Sequence, residues 1–148
     1  MSTREAAITA LHDVLAAALA ARSPAPQVLR GETVPQRLPA GGLVVIRDGE
    51  TVQETAILSP LAFAIEHWAE VEVTAGDATP AALAALLDAR LADIGAAIIA
   101  DRTVGGAVEW AQPGSPEFQD VEFEGAGAAR AALVPVTLWF TVAGSPLA

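Results

Sequence analysis

The sequence predicts an α+β domain, an antiparallel and partly meandering β-sheet covered by two amphipathic helices. Three observations predict it. From Leu61 to Thr74 the residues change side at every step, with Phe63, Ile65, His67, Val71 and Val73 facing one way and Glu66, Trp68, Glu70 and Glu72 the other. Period two over this length marks a half-buried antiparallel strand. Leu83, Leu87, Leu91, Ile94 and Ile98 recur at helical spacing and form one apolar stripe. The segments run helix, strands, helix, strands, with no repeat and no low-complexity linker, so one domain spans residues 1–148.

Taken in order, Ser2-Thr3-Arg4-Glu5 reads as a capping box ahead of a helix whose stripe is Ile8, Leu11, Leu15 and Leu19. Ser23-Pro24-Ala25-Pro26 ends it. Residues 27–41 read as irregular, with a short strand at Val28-Leu29-Arg30 and a loop around Pro35, Pro39 and Gly41. Leu43 to Arg47 is a strand by its β-branched content. Asp48-Gly49 predicts a type I′ hairpin turn, with Thr51–Leu58 returning as the partner strand and Ser59-Pro60 punctuating before the central strand. Three sequential strands would then form a meander.

Thr79 and Pro80 fit the N-cap and first position of the second helix, and Gly105-Gly106 fits its C-cap and exit. Ala107–Gln112 is a short strand and Pro113–Pro116 a turn. Phe118–Glu124 alternates again, placing Phe118, Asp120, Glu122 and Glu124 on one side and Val121 and Phe123 on the other. Gly125–Gly127 breaks that run, and Ala132–Val142 is the last strand. Pro135 cannot donate to a ladder, so it requires an edge or a bulge at that point. The tail after Gly144 is expected to fray.

Composition excludes several functions. The net charge is −10 and all eight basic residues are scattered arginines. A nucleic-acid reader needs a concentrated basic face. Without lysine there is no Schiff base or P-loop, and without cysteine no thiol nucleophile, disulfide or zinc–thiolate centre. Asp88, Arg90 and Asp93 make the second helix costly in lipid, and Glu5 and His12-Asp13 spoil the N-terminus as a signal peptide.

No catalytic constellation emerges. His12 sits beside Asp13 off the apolar stripe, and His67 points by parity into the core, where a backbone partner is expected. No serine lies in a nucleophile elbow. Gly125-Ala126-Gly127 follows a strand as a dinucleotide-binding loop would, but Arg130 stands at the third glycine position and a strand follows instead of a helix. The acidic sets Glu66/Glu70/Glu72 and Asp120/Glu122/Glu124 would form a negative wall if their strands were neighbours. Such a wall admits a hard-cation site, paired acid/base chemistry or a solvated sheet face. Trp68 and Trp139 lie on polar-looking strand faces, which points to a subunit interface.

The layout from first helix to closing strand, together with Asp101-Arg102-Thr103-Val104-Gly105-Gly106 after the second helix, resembles the tail terminator proteins of long-tailed bacteriophages. In that family the segment is often Asp-x-Thr-Leu-Gly-Gly; here Val104 replaces the leucine. The resemblance implies a structural protein of the virion tail and neck, made in the bacterial host cytoplasm. It implies a homo-hexameric ring that ends tube polymerisation and contacts the tail tube protein and a head–tail connector or stopper. DNA would pass through without specific binding, and no cofactor, metal or turnover is expected. On this reading Trp68, Arg102 and Trp139 are the candidate interface, and one of the two acidic sets lines the lumen. A head–tail stopper, or a small divalent-metal-dependent enzyme using the acidic faces, are the alternatives.

Overall fold

A computed structural model describes residues 1–31, 37–77, 79–122 and 127–148. Two helices, α1 (Thr3–Leu19) and α2 (Pro80–Ala100), lie on one face of a mixed, mostly antiparallel sheet, giving an α+β fold. Its strands are β1 (Gln27–Arg30), β2 (Leu43–Leu58), β3 (Leu61–Asp77), β4 (Trp110–Pro113), β5 (Glu117–Val121) and β6 (Ala128–Ala143). The order across the sheet is β1-β2-β3-β6-β4, with β5 also pairing β6. Among the described residues only β1 and β2 run parallel.

Both helices begin as their sequences dictate. Ser2 Oγ accepts from Glu5 N at 3.2 Å, and Thr79 Oγ1 accepts from Ala82 N at 3.2 Å. The reciprocal arm of the capping box is missing, because the Glu5 carboxylate is taken by Arg30 at 3.1 and 3.2 Å. Ile8, Leu11, Leu15 and Leu19 of α1 and Leu87, Ile94 and Ile98 of α2 are buried against Val44, Ile46, Val71, Val73, Val134, Val136 and Leu138. Each such side chain contributes about 1.5–3 kcal/mol by leaving water. The inward set of β3 is the odd-numbered one, as its alternation predicts.

Asp48-Gly49 is not a hairpin turn. β2 runs straight through it to Leu58, and the reversal comes at Ser59-Pro60, where Leu58 pairs with Leu61. The register slips by one residue between Arg47↔Glu70 and Glu50↔Trp68, so the pair forms a β-bulge. Gly49 has φ +65°, which a bulge demands as much as a type I′ turn does. A second slip lies at Val52, between Thr51 and Gln53. The expected three-strand meander is therefore one long hairpin.

Three further expectations change. The α2 C-cap is Asp101, and Gly105-Gly106 close the loop that Asp101 organises. Pro113–Pro116 does not reverse the chain, since β4 and β5 both pair with the same edge of β6. The carbonyl of Pro135 faces this break and accepts from Gly114 N at 2.7 Å, so its missing donor faces the break too. The tail is tied back, with Ala148 O accepting from Thr3 N at 2.9 Å. Phe123, Glu124, Gly125, Ala126 and Pro35 lie outside the described residues.

Candidate functional site

The sheet face away from the helices holds Glu66, Trp68, Glu70, Glu72 and Trp139 of the sequence-predicted residues. Paired residues share a face, so the register builds it row by row. One row is Gln53–Glu66–Trp139–Trp110, and the next is Glu50–Trp68–Thr137–Gln112. Beyond them lie Arg47–Glu70–Pro135 and Val45–Glu72–Leu133–Glu117. Trp68 is 42% exposed and Trp110 48%, while Trp139 is half-buried between Glu66 and Trp110. Trp68 Nε1 donates to Glu66 at 3.4 Å. A concavity floored by Leu133 and Pro135 and walled by Trp68 opens beside Glu50, Glu70 and Glu117.

Arg102 belongs to this cluster but is held within the subunit. Its guanidinium lies 4.5 Å from the centroid of the Trp110 ring, and Nη1 donates to Gln112 Oε1 at 2.6 Å and to Ala111 O at 3.2 Å. The loop carrying it is fixed by Asp101, whose carboxylate accepts from Thr103 Oγ1 (2.6 Å), Thr103 N (3.0 Å) and Gly105 N (2.7 Å). The Thr103 hydroxyl, then the two amides, hold the Asp101 carboxyl below its usual pKa. Val104 sits at φ +50° with its side chain fully buried, an uncommon conformation for a β-branched residue. The Asp-x-Thr-x-Gly-Gly pattern thus encodes a self-capped loop that delivers Arg102 to Trp110.

The two acidic sets do not form one wall. β6 lies between β3 and β5, and Asp120 pairs with Arg130 on the helix-side face, opposite Glu66, Glu70 and Glu72. Glu122 is exposed just beyond β5, and Glu124 is outside the described residues. Arg47 reaches Glu72 at 3.5 Å. Trp68 and Glu66, Glu70 and Glu72 project from the same face, so an interface and a lumen cannot both occupy the whole of it.

His67 is buried, as its parity predicts. Its Nε2–H donates to the Asp48 carbonyl inside the bulge, leaving Nδ1 to accept from Thr51 Oγ1 at 3.0 Å. Burial lowers its pKa, opposed by that carbonyl. With both ring nitrogens engaged it locks the bulge. His12 Nδ1 meets Asp13 at 3.0 Å on the α1 surface. Among the described residues no three His, Asp or Glu side chains are grouped to hold a metal ion.

No protein-family model and no curated protein matches this chain. Among the described residues no helix is long and apolar enough to cross a membrane.

Two features escape a residue-by-residue reading of the sequence. Arg90 is buried, donating from Nε to Gly41 O (2.9 Å), from Nη2 to Pro24 O (2.7 Å) and from Nη1 to Asp93 (3.3 Å). Its place between Leu87 and Ile94 on the stripe was the available signal. Trp110, a neighbour of Trp139 across β4 and β6, joins the surface cluster only once that register is known.

Proposed function

We propose that this chain is a structural virion subunit that closes on its own copies into a hexameric ring, caps a phage tail tube at the neck and joins it to the head connector. The observation that carries the reading is the sheet face left without a helix, on which Trp68, Trp110 and Trp139 lie on neighbouring rows and Trp68 borders a concavity floored by Leu133 and Pro135. Exposed aromatic clusters of this kind mark surfaces that gain by association. Two further points support it: the family resemblance of the layout, and an acidity that keeps DNA from adhering to a passage. The tryptophan end of the face then meets the neighbour, and Glu70 is the carboxylate best placed to look into the opening.

The test is sedimentation velocity with negative-stain electron microscopy, alone and with polymerising tail tube protein. A ring with a central hole, or tubes shortened and capped by the protein, is expected, and Trp68→Ser with Trp139→Ser should abolish it. A single subunit at every concentration that leaves tube length unchanged overturns the proposal.

A further inference from the structure

Beyond the bulges, β2 leaves the body of the domain. Every residue from Asp48 to Leu58 is exposed, whereas Leu43 to Ile46 are buried. β1 pairs only with Leu43–Ile46, so among the described residues nothing pairs with the outer edge of β2 from Arg47 onward. The opposite edge of the sheet is treated differently, because Arg102 caps the Ala111 carbonyl of β4. The direction of the open groups follows from the ladder. Leu61 turns its carbonyl to β6, where Gly144 N donates to it at 3.0 Å. In an antiparallel alternation its partner Leu58, and with it Ala56 and Glu54, presents N–H and C=O to the open side. Soluble proteins blunt such edges with lysine, proline, bulges or inward charge; both bulges lie before Gln53, and from Gln53 to Leu58 there is no lysine, arginine or proline and Glu54 is the one charge.

The charge around the edge selects the occupant. No arginine or lysine occurs between Arg47 and Arg90, and the chain after Arg130 carries no charged side chain at all. The arm built from β2, the start of β3 and the end of β6 therefore holds Asp48, Glu50, Glu54 and Glu66 with no cation of its own. Arg30 reaches in from β1 to take Asp48 at 2.6 Å and leaves the others uncompensated. On the outer face a slot between Gln53, Glu66, Glu109 and Trp139 combines two carboxylates with an indole, a fit for a guanidinium or ammonium group. A strand added about 4.8 Å beyond β2 lies about two strand spacings from Glu66, so an arginine crossing Gln53 reaches that carboxylate at the near end of the slot.

We propose that the free edge of β2, from Glu54 to Leu58, takes an extended arginine- or lysine-bearing segment of another protein as an added antiparallel strand. Backbone pairing supplies the affinity, and the carboxylates of Glu54 and Glu66 select the basic side chains. The inference stands apart from the ring, since a lone subunit presents the same edge.

The probe is a labelled peptide of alternating arginine and valine, compared with its glutamate–valine counterpart and with a peptide of arginine alone. Fluorescence anisotropy gives affinity, and amide hydrogen exchange reads the edge. Expected is selective binding of the arginine–valine peptide, weakening with salt, with slowed exchange at Glu54, Ala56 and Leu58. Ala56→Pro removes an outward donor without touching the β3 ladder, and Glu54→Arg reverses the charge; each should weaken binding about tenfold. The proposal is overturned if exchange at those amides is unchanged, if the arginine-only peptide binds as well and neither variant matters, or if the amides become protected as protein concentration rises without peptide. The last result would make a second copy the occupant. Sedimentation of the same samples, with the tube-length assay, separates the two readings: a monomer that binds the peptide and leaves tube length unchanged sinks the ring alone, and a ring with an unprotected edge sinks this inference alone.

Discussion

Arg90→Met tests whether one guanidinium ties α2 to the segment after α1 and to the approach to β2. The side chain is 5% exposed and makes three hydrogen bonds, at 2.7 Å to Pro24 O, 2.9 Å to Gly41 O and 3.3 Å to Asp93. Methionine preserves the stem and removes every donor. Charge-assisted bonds contribute about 1.5–3 kcal/mol each, and breaking a buried ion pair costs about 3–5 kcal/mol. Asp93 keeps Arg22 at 2.7 Å, so its carboxylate is not stranded and the lower end applies. The expected loss is about 3 kcal/mol. Urea unfolding followed by circular dichroism should show it as a midpoint lower by about 1–3 M, given the usual slope for a domain this size. Arg90→Lys, which cannot span both carbonyls, should fall between. A methionine variant within about 1 kcal/mol of the parent would refute the reasoning, because the two carbonyls would then be satisfied without Arg90.

Other consequences follow from the bulge and the loop. His67 has a lowered folded pKa, so between that value and the ordinary 6.5 the unfolded chain binds a proton that the folded chain refuses. Stability should therefore fall as pH drops below 6.5, and level off under the folded value. His67→Gln should flatten that part of the urea-midpoint profile; equal slopes in both proteins would count against it. A Cβ on Gly49 would come within 1.7 Å of Trp68 O, whereas one on Gly105 meets nothing within 4 Å, although both have positive φ. Gly105→Ala should lose about 1–2 kcal/mol in thermal melts, and Gly49→Ala far more. Similar losses would mean the bulge yields. Asp101→Asn should speed amide exchange at Thr103 and Gly105. In the parent this loop order should persist below pH 3.8 and fade as pH falls through the lowered Asp101 value.

The fold class, both helix starts and the inward face of β3 were legible because they depend on local periodicity and capping, which a sequence carries whole. What was not legible depends on distant partners. Asp48-Gly49 satisfies a positive-φ requirement shared by two structures, a hairpin turn and a bulge. Only the pairing of β2 with β3 all the way to Leu58 decides between them. Parity placed Glu66, Glu70 and Glu72 together and Asp120 with Glu122, but not the intervening β6 or the face that β5 would turn. Trp68 and Trp139 were placed on the outer face by parity alone; that Arg102 already stacks on Trp110 needed the β4 register.

The distribution of arginine explains why the open edge and the open face are both acidic. Arg30 binds Glu5 and Asp48, Arg22 binds Asp93, Arg47 binds Glu72, Arg90 binds two carbonyls, and Arg102 and Arg130 stack on Trp110 and Phe118. Six of eight cations thus hold internal joints, and none of the six lies on the arm beyond the bulges. A charge of −10 spread evenly would only aid solubility. The part of it carried by Glu50, Glu54, Glu66 and Glu70, on an uncapped strand edge and around exposed tryptophans, sets the sign of whatever docks there. A partner matching the edge must supply both the backbone pairing and the missing cations, and one matching only the charge would be washed off by salt.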